Sequence, residues 1–209
     1  MGLPNQLSIF RIVLTPLFVL LFLSENIIVR YISLGVFTIA VLTDWYDGYI
    51  ARKYDNVSTG GKFLDPLADK ILVITSLVVF NRLGYIPNWI IWVIIIRDVI
   101  ITSLRLYTIK STKPVCTNFL GKVKTFGQLT VLYYIYLYDL FITSQDTEYQ
   151  NRIVNILLNS TIIMVLLYTV TLITVISGIV YLIENKSQVK KIRDDIFRLF
   201  LPSESGKDI

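Results

Sequence analysis

The chain has 209 residues, of which 54% are hydrophobic and 17% charged, and it carries a formal net charge of +5. This composition, with a mean hydropathy of +0.63, excludes an ordinary soluble domain and is typical of a polytopic membrane protein. The chain has no histidine, which excludes histidine-based catalysis and histidine-bound zinc. Its one cysteine, Cys116, excludes an intrachain disulfide and argues against a cysteine-based metal site. Any metal must therefore be held by oxygen ligands, which favours Mg²⁺ or Mn²⁺.

Hydropathy along the chain predicts an all-α polytopic membrane protein with six transmembrane helices. Each apolar segment is long enough to cross about 30 Å of hydrocarbon at about 1.5 Å per residue. The predicted spans are Leu7–Leu23, Tyr31–Gly48, Phe63–Phe80, Trp89–Tyr107, Thr125–Phe141 and Val154–Ile183. No basic region precedes the first span and no cleavage site follows it, so we expect a retained helix and not a signal peptide.

The Lys and Arg residues predict the orientation of these spans. Thirteen of the 20 lie in the loop between spans two and three, in the loop between spans four and five, and in the tail. Only Arg30, Arg82 and Arg152 lie in the three opposite loops. Because basic residues are retained on the cytoplasmic side, we expect both termini and the even-numbered loops in the cytoplasm.

The tail, residues 186–209, follows a membrane domain that we assign to residues 1–185. Apolar residues recur in it near helical spacing with basic residues between them, and this pattern predicts an amphipathic helix over Gln188–Leu201 that lies on anionic lipid. The apolar members are Val189, Ile192, Ile196, Phe197 and Phe200, and the basic ones are Lys190, Lys191, Arg193 and Arg198. The alternative is a charged tail that only fixes the topology.

Four aspartates lie at the facing ends of spans two and three. Asp44 and Asp47 are three residues apart and Asp65 and Asp69 are four apart, so each pair shares one helix face. The connecting loop should fold the second pair against the first, just inside the cytoplasmic face. Carboxylates so close repel one another unless cations neutralise them, and four of them suit two divalent ions. Interfacial charges that cap helices would account for one or two aspartates, but not readily for four.

The residues between the aspartates suit a phosphorylated ligand. Gly48, Ala51 and Gly61 are small enough to let a ligand approach the helix backbone. Arg52 and Lys62 can contact phosphate oxygens.

This run resembles the signature of the CDP-alcohol phosphatidyltransferases, D-x₂-D-G-x₂-A-R-x₈-G-x₃-D-x₃-D. Eight fixed positions at set spacing make the match specific. All of them are present: Asp44, Asp47, Gly48, Ala51, Arg52, Gly61, Asp65 and Asp69. The resemblance implies an enzyme in which an acceptor hydroxyl attacks the lipid-side phosphorus of a CDP-linked lipid and CMP leaves.

The resemblance also implies roles for these residues. Asp44, Asp47 and Asp65 would hold one Mg²⁺ or Mn²⁺ ion, and Asp44, Asp65 and Asp69 a second. Asp69 would be the general base that accepts the hydroxyl proton. The cytidine and pyrophosphate site would be formed by Gly48, Ala51, Arg52 and Gly61, with Thr43 and Asn5 as further candidates.

Other stretches resemble the branch of this family that uses CDP-diacylglycerol as donor and glycerol 3-phosphate as acceptor. They are LPNQLSIFRIVLTP, LDPLADKILV, IIRDVIITSLRL and LGKVKT. The branch implies a bacterial enzyme of the cell inner (cytoplasmic) membrane whose active site faces the cytoplasm. It also implies membrane lipids as surroundings, a homodimer, and no nucleic-acid partner.

Basic residues inside the spans are candidates for the acceptor phosphate. Arg97 and Arg105 lie about two turns apart in span four, about 80° around the helix axis. A buried arginine in a lipid-embedded helix needs an anionic partner, and a phosphate would serve. Asp98 is a competing partner for a neighbouring span, and the alternative is that Arg97 is purely structural. Lys122 and Lys124 point to opposite sides, and we favour Lys124 for the site, unless both only mark the cytoplasmic end of span five.

Three further charged residues have less specific expectations. Arg11 either contacts the donor or snorkels to lipid headgroups. Lys70 is expected to be a structural ion-pair partner. Asp139 is expected at the far membrane interface.

Other functions stay open from the sequence. The same chemistry could use another acceptor, namely phosphatidylglycerol, as in a cardiolipin synthase, or serine or an inositol phosphate. The aspartates could instead form the ion site of a cation transporter or channel, although no internal repeat is visible and they cluster at one interface. A non-catalytic membrane scaffold is the third class.

Overall fold

A computed structural model describes residues 3–54, 61–109, 119–143 and 160–200. Within these ranges the secondary structure consists of seven α-helices without a strand, which confirms the all-α class. The helices are α1 (Leu3–Phe22), α2 (Ile27–Tyr54), α3 (Gly61–Arg82), α4 (Asn88–Ile109), α5 (Phe119–Thr143), α6 (Ser160–Glu184) and α7 (Lys186–Phe200).

Each predicted span coincides with a helix, but α2 ends later than predicted. The helix continues to Tyr54, so Asp44 and Asp47 lie inside it and not at its end. No proline interrupts residues 48–54, and the single glycine, Gly48, costs only about 1 kcal/mol in a helix interior. The start of the sixth predicted span, Val154–Asn159, lies outside the described residues.

Hydrogen bonds order the two short turns that precede α2 and α4. Asn26 Oδ1 accepts a hydrogen bond of 2.9 Å from the backbone N–H of Ile28, which caps the first turn of α2. At the end of α3 the backbone N–H of Tyr85 donates to the carbonyl of Phe80 at 3.0 Å. Gly84, with φ of 82°, supplies the left-handed residue that this helix ending requires.

Helix α1 packs against α2 and α3, whereas α6 packs against α4 and α5. Helix α5 also contacts α2 and α3, so it joins the two groups. An aromatic cluster fills the junction, with ring centroids 4.7 Å apart for Phe22 and Tyr136 and 5.2 Å apart for Phe18 and Phe37. Such contacts add to the free energy gained from burial, and they rigidify the end of the bundle opposite the aspartates.

A polar cluster closes that same far end. Asp139 of α5 accepts hydrogen bonds from Arg30 of α2 at 3.3 Å and from the Tyr85 hydroxyl at 2.8 Å. Burial, together with the bond to Asp139, raises the pKa of Tyr85. Asp139 is therefore a buried, paired carboxylate at the end of the bundle opposite the motif, and its predicted location at the far membrane interface stays a prediction.

The predicted amphipathic tail is a helix, α7, which begins directly after Asn185 and contacts α4 and α6. Lys190, Lys191 and Arg193 are exposed, whereas Val189 and Ile192 are partly buried. One face of the helix is therefore basic and solvent-facing in its first two turns. Leu201, the predicted last residue, lies outside the described residues.

Two described helices are long and apolar enough to cross a membrane, Ile27–Tyr46 within α2 and Ser160–Glu184, which is α6. Gln6–Phe22 within α1 is a shorter apolar helix. Helices α3, α4 and α5 carry internal charges, which lower their hydropathy. The six-span topology with cytoplasmic termini stays a prediction.

Candidate functional site

The aspartate motif lies on two helices that both pack against α1. Asp44 and Asp47 are in α2, and Asp65 and Asp69 are in the first three turns of α3, which begins at Gly61, two residues before the predicted span. The side chains of several predicted site residues lie outside the described part of the structure: Asn5, Asp47, Gly48, Ala51, Arg52, Gly61, Asp65, Asp69 and Arg105. Their convergence on metal or substrate therefore stays a prediction.

The first aspartate of the motif forms an ion pair with α1. Arg11 Nη1 lies 2.7 Å from Asp44 Oδ1, and the exposed fractions of the two side chains are 1% and 44%. Arg11 is thus inside the bundle, and the alternative in which it snorkels to lipid headgroups is wrong. The pair places a fixed positive charge at the start of the aspartate motif and leaves Asp44 reachable from outside.

Thr43 precedes Asp44 in α2. Its hydroxyl donates to the carbonyl of Ile39 at 2.7 Å, one turn earlier in the same helix. The hydroxyl oxygen keeps acceptor capacity, and the predicted contact with cytidine stays a prediction.

A second charged cluster is centred on Asp98 of α4. Lys124 Nζ of α5 lies 2.6 Å from both carboxylate oxygens, and both side chains are 1% exposed. Arg97 Nη1 lies 3.1 Å from Oδ1, and Lys70 Nζ of α3 lies 3.6 Å from Oδ2. The prediction of Lys70 as an ion-pair partner is confirmed. One buried carboxylate thus gathers cations from α3, α4 and α5.

Arg97 extends this cluster to α6. Its Nη2 donates to Ser177 Oγ at 2.9 Å. A Cβ added to Gly178 would lie 3.0 Å from Arg97 Cγ, so this glycine lets the arginine approach α6 closely. Among the described groups, Arg97 Nε is buried without a hydrogen-bond acceptor.

The structure separates the two lysines of α5 as the sequence predicted. Lys124 is buried and Lys122 exposed, because residues two apart point to different sides of a helix. The partner of Lys124, however, is Asp98. The sequence suggested Asp98 as a partner for a neighbouring span but did not identify Lys124 as that partner. A carboxylate in the middle of an apolar span was the available signal, because such groups are costly there without partners.

Comparison with known proteins matches residues 1–183 to the family described as CDP-alcohol phosphatidyltransferase. The chain belongs to the CDP-alcohol phosphatidyltransferase family. All eight positions of the expected signature therefore lie inside the matched region.

Three curated relatives of this CDP-alcohol phosphatidyltransferase carry the name CDP-diacylglycerol–glycerol-3-phosphate 3-phosphatidyltransferase. The protein from Bacillus subtilis (strain 168) is 38% identical over 151 residues, which are 66% of this chain and 78% of the relative. The protein from Blochmanniella floridana is 37% identical over 139 residues, 63% of this chain and 71% of the relative. The protein from Escherichia coli (strain K12) is 34% identical over 139 residues, 63% of this chain and 74% of the relative.

Proposed function

We propose that this phosphatidyltransferase transfers a phosphatidyl group from CDP-diacylglycerol to glycerol 3-phosphate in phospholipid biosynthesis. The products would be phosphatidylglycerophosphate and CMP. The complete aspartate motif on α2 and α3, both packed against α1, is the observation that carries the chemistry. The shared name of relatives that are 34% to 38% identical supports the acceptor.

In the proposed step, the acceptor hydroxyl oxygen forms a bond to the lipid-side phosphorus of the donor. The bond from that phosphorus to the bridging oxygen of the pyrophosphate breaks, and CMP leaves with that oxygen. Asp69 accepts the proton of the hydroxyl as general base. Arg52 binds the pyrophosphate, while Asn5, Thr43, Gly48, Ala51 and Gly61 line the donor site.

The donor set of the motif fits hard divalent cations, because it consists of carboxylate oxygens and the chain has no histidine. Asp44, the described member, is about half exposed and so accessible to an ion from solution. We propose that Asp44, Asp47, Asp65 and Asp69 hold two Mg²⁺ or Mn²⁺ ions. When bound, such ions neutralise the pyrophosphate and the departing CMP.

The acceptor phosphate is proposed to bind near Arg97, Arg105 and Lys124. Arg97 and Lys124 together bring two positive charges to the single carboxylate of Asp98. Arg97 Nε also has no acceptor among the described groups. A phosphate would supply both the missing negative charge and the acceptor oxygen.

We propose that α1 to α6 cross the cytoplasmic membrane, with both termini and the active site on the cytoplasmic side. Large apolar side chains on the outside of the bundle support this arrangement, because soluble monomers rarely expose such surfaces. Trp92, Ile96 and Val99 form one exposed stripe along α4 although that helix carries internal charges. Helix α7 would lie on anionic lipid, and a homodimer is expected in the membrane.

The function is tested by CMP release from purified protein with CDP-diacylglycerol and Mg²⁺ or Mn²⁺. Glycerol 3-phosphate, serine, inositol phosphate and phosphatidylglycerol are compared as acceptors, and Asp69→Asn runs as the catalytic control. We expect release with glycerol 3-phosphate, lost in the variant. CMP release only with another acceptor would support phosphatidyl transfer but contradict glycerol 3-phosphate as the acceptor. If no CMP is released with any acceptor, the aspartates would have an ion-binding or a structural role instead.

A further inference from the structure

The buried Asp98 carboxylate links four helices through ion pairs and hydrogen bonds. It lies on α4, binds Lys124 of α5 at 2.6 Å, and lies 3.6 Å from Lys70 of α3. It also binds its neighbour Arg97, which reaches Ser177 of α6 at 2.9 Å. A buried carboxylate with partners of this kind is costly to assemble and is strongly destabilising to break.

The cluster lies next to the proposed reaction site along α3. Lys70 directly follows Asp69, the proposed general base, so the Asp98 carboxylate of α4 contacts the residue next to the motif on α3. Asp98 itself is 1% exposed and already accepts from Lys124 through both oxygens. It is therefore poorly placed to contact substrate and well placed to hold the groups that do.

We propose that Asp98 is a positioning residue for the acceptor phosphate, a role that rests on the proposed function. Lysine and arginine have many rotamers, and ordering them during binding weakens affinity. The bonds from Asp98 fix Lys124 and Arg97 before the substrate arrives. Gly178 completes the arrangement, because its missing side chain leaves room for Arg97 Cγ.

The competing explanation is a purely structural ion pair, and the chain provides a matched control. Asp139 is also a buried carboxylate on α5, paired with Arg30 and hydrogen-bonded to Tyr85, but it lies at the far end of the bundle. If Asp98 is purely structural, Asp98→Asn and Asp139→Asn should both lower thermal stability. Neither variant should then change the KM for one substrate more than the KM for the other. If Asp98 is a positioning residue, Asp98→Asn should raise the KM for glycerol 3-phosphate and not the KM for CDP-diacylglycerol.

The experiment measures initial rates of CMP release by purified full-length protein, against glycerol 3-phosphate and against CDP-diacylglycerol. We expect Asp98→Asn to raise the KM for glycerol 3-phosphate about tenfold or more and to keep the KM for CDP-diacylglycerol within about twofold. Asp139→Asn should keep both KM values within about twofold, because its partners are remote from the site. Equal KM values in Asp98→Asn and wild type, or an equal rise for both substrates, would overturn the proposal.

A second variant keeps the test decisive if Asp98→Asn does not fold. Gly178→Ala leaves every charge in place and pushes only on Arg97 Cγ, whereas Gly35→Ala adds the same methyl group where nothing lies within 4 Å. We expect Gly178→Ala alone to raise the KM for glycerol 3-phosphate, by about threefold or more. An unchanged KM in a folded Gly178→Ala protein, with Asp98→Asn unfolded, would contradict positioning.

The measurements on wild type distinguish a failure of the positioning role from a failure of the proposed function. If wild type uses glycerol 3-phosphate and the variants keep its KM, only the positioning role is wrong. If wild type releases no CMP with glycerol 3-phosphate, the function fails and the positioning role fails with it.

Discussion

Arg11 of α1 holds Asp44 of α2, with Nη1 of the arginine 2.7 Å from Oδ1 of the aspartate. The arginine is buried, and the aspartate is the first residue of the motif. Helix α1 packs against both helices that carry the motif, so this ion pair places a buried positive charge from α1 next to the first aspartate of the motif. If the four carboxylates converge as predicted, Arg11 would lower their mutual repulsion before any cation binds.

Replacing Arg11 by Met should lower the free energy of unfolding by about 1–3 kcal/mol, less than for a fully buried pair, because Asp44 is half exposed. Added Mn²⁺ should reduce the difference in melting temperature between Arg11→Met and wild type, since the ion can neutralise the aspartates. The measurement is thermal unfolding in detergent with and without Mn²⁺. Arg30→Met, which breaks the remote pair with Asp139, is the control. An equal effect of Mn²⁺ on both variants would contradict a charge role for Arg11 at the motif.

Asp69→Asn should lower kcat for CMP release about 10²- to 10⁴-fold, because the amide cannot accept the proton of the acceptor hydroxyl. Binding of CDP-diacylglycerol should change less than turnover does. Steady-state rates and a binding measurement with the donor test this difference. Asp139→Asn, at the other end of the bundle, controls for the loss of any buried carboxylate. A kcat close to that of wild type would exclude Asp69 as the general base.

Removal of divalent cations should abolish turnover, since four aspartates in one motif are expected to hold the ions that the pyrophosphate needs. Chelation with EDTA followed by titration with Mg²⁺ or Mn²⁺ tests this expectation. Activity should return with either ion, and thermal stability should rise with the same midpoint. Full activity in EDTA would mean that the aspartates work without metal.

The sequence predicted the helices well, for physical reasons. Long apolar runs have few structures available in a bilayer, so the segments around Phe18 or Leu167 had to become helices. Aspartates at spacings of three and four identify a shared face without any tertiary information.

Partner choice could not be predicted in the same way. Arg11 and Asp44 are distant in the sequence, and only the packing of α1 on α2 brings them together. The sequence placed Lys70, Arg97 and Asp98 inside predicted spans and Lys124 at the start of span five, but the choice among their pairings depends on helix rotation. Helix α2 also ends beyond its apolar run, because polar helix formers continue it into the interface.

The hydrogen bond from Tyr85 to Asp139 should stabilise the fold without affecting catalysis. Tyr85→Phe removes a bond of 2.8 Å, and we expect a loss of about 1 kcal/mol with unchanged KM values. The bond requires the protonated phenol, and the pKa of Tyr85 is raised in the folded state by burial and by Asp139. The difference from wild type should therefore persist up to the ordinary pKa of 10.0 and decrease as the pH rises further. Thermal unfolding over a pH series measures it, and a difference that grows above that pH would contradict this assignment.

The most direct test of phosphatidyl transfer to glycerol 3-phosphate follows the acceptor itself. Purified protein in vesicles that contain CDP-diacylglycerol is incubated with labelled glycerol 3-phosphate and Mg²⁺ or Mn²⁺, and the lipid is extracted and identified by mass. We predict label in phosphatidylglycerophosphate in an amount equal to the CMP released. CMP release without label in lipid would show that water or another acceptor takes the phosphatidyl group, and it would contradict the proposed function.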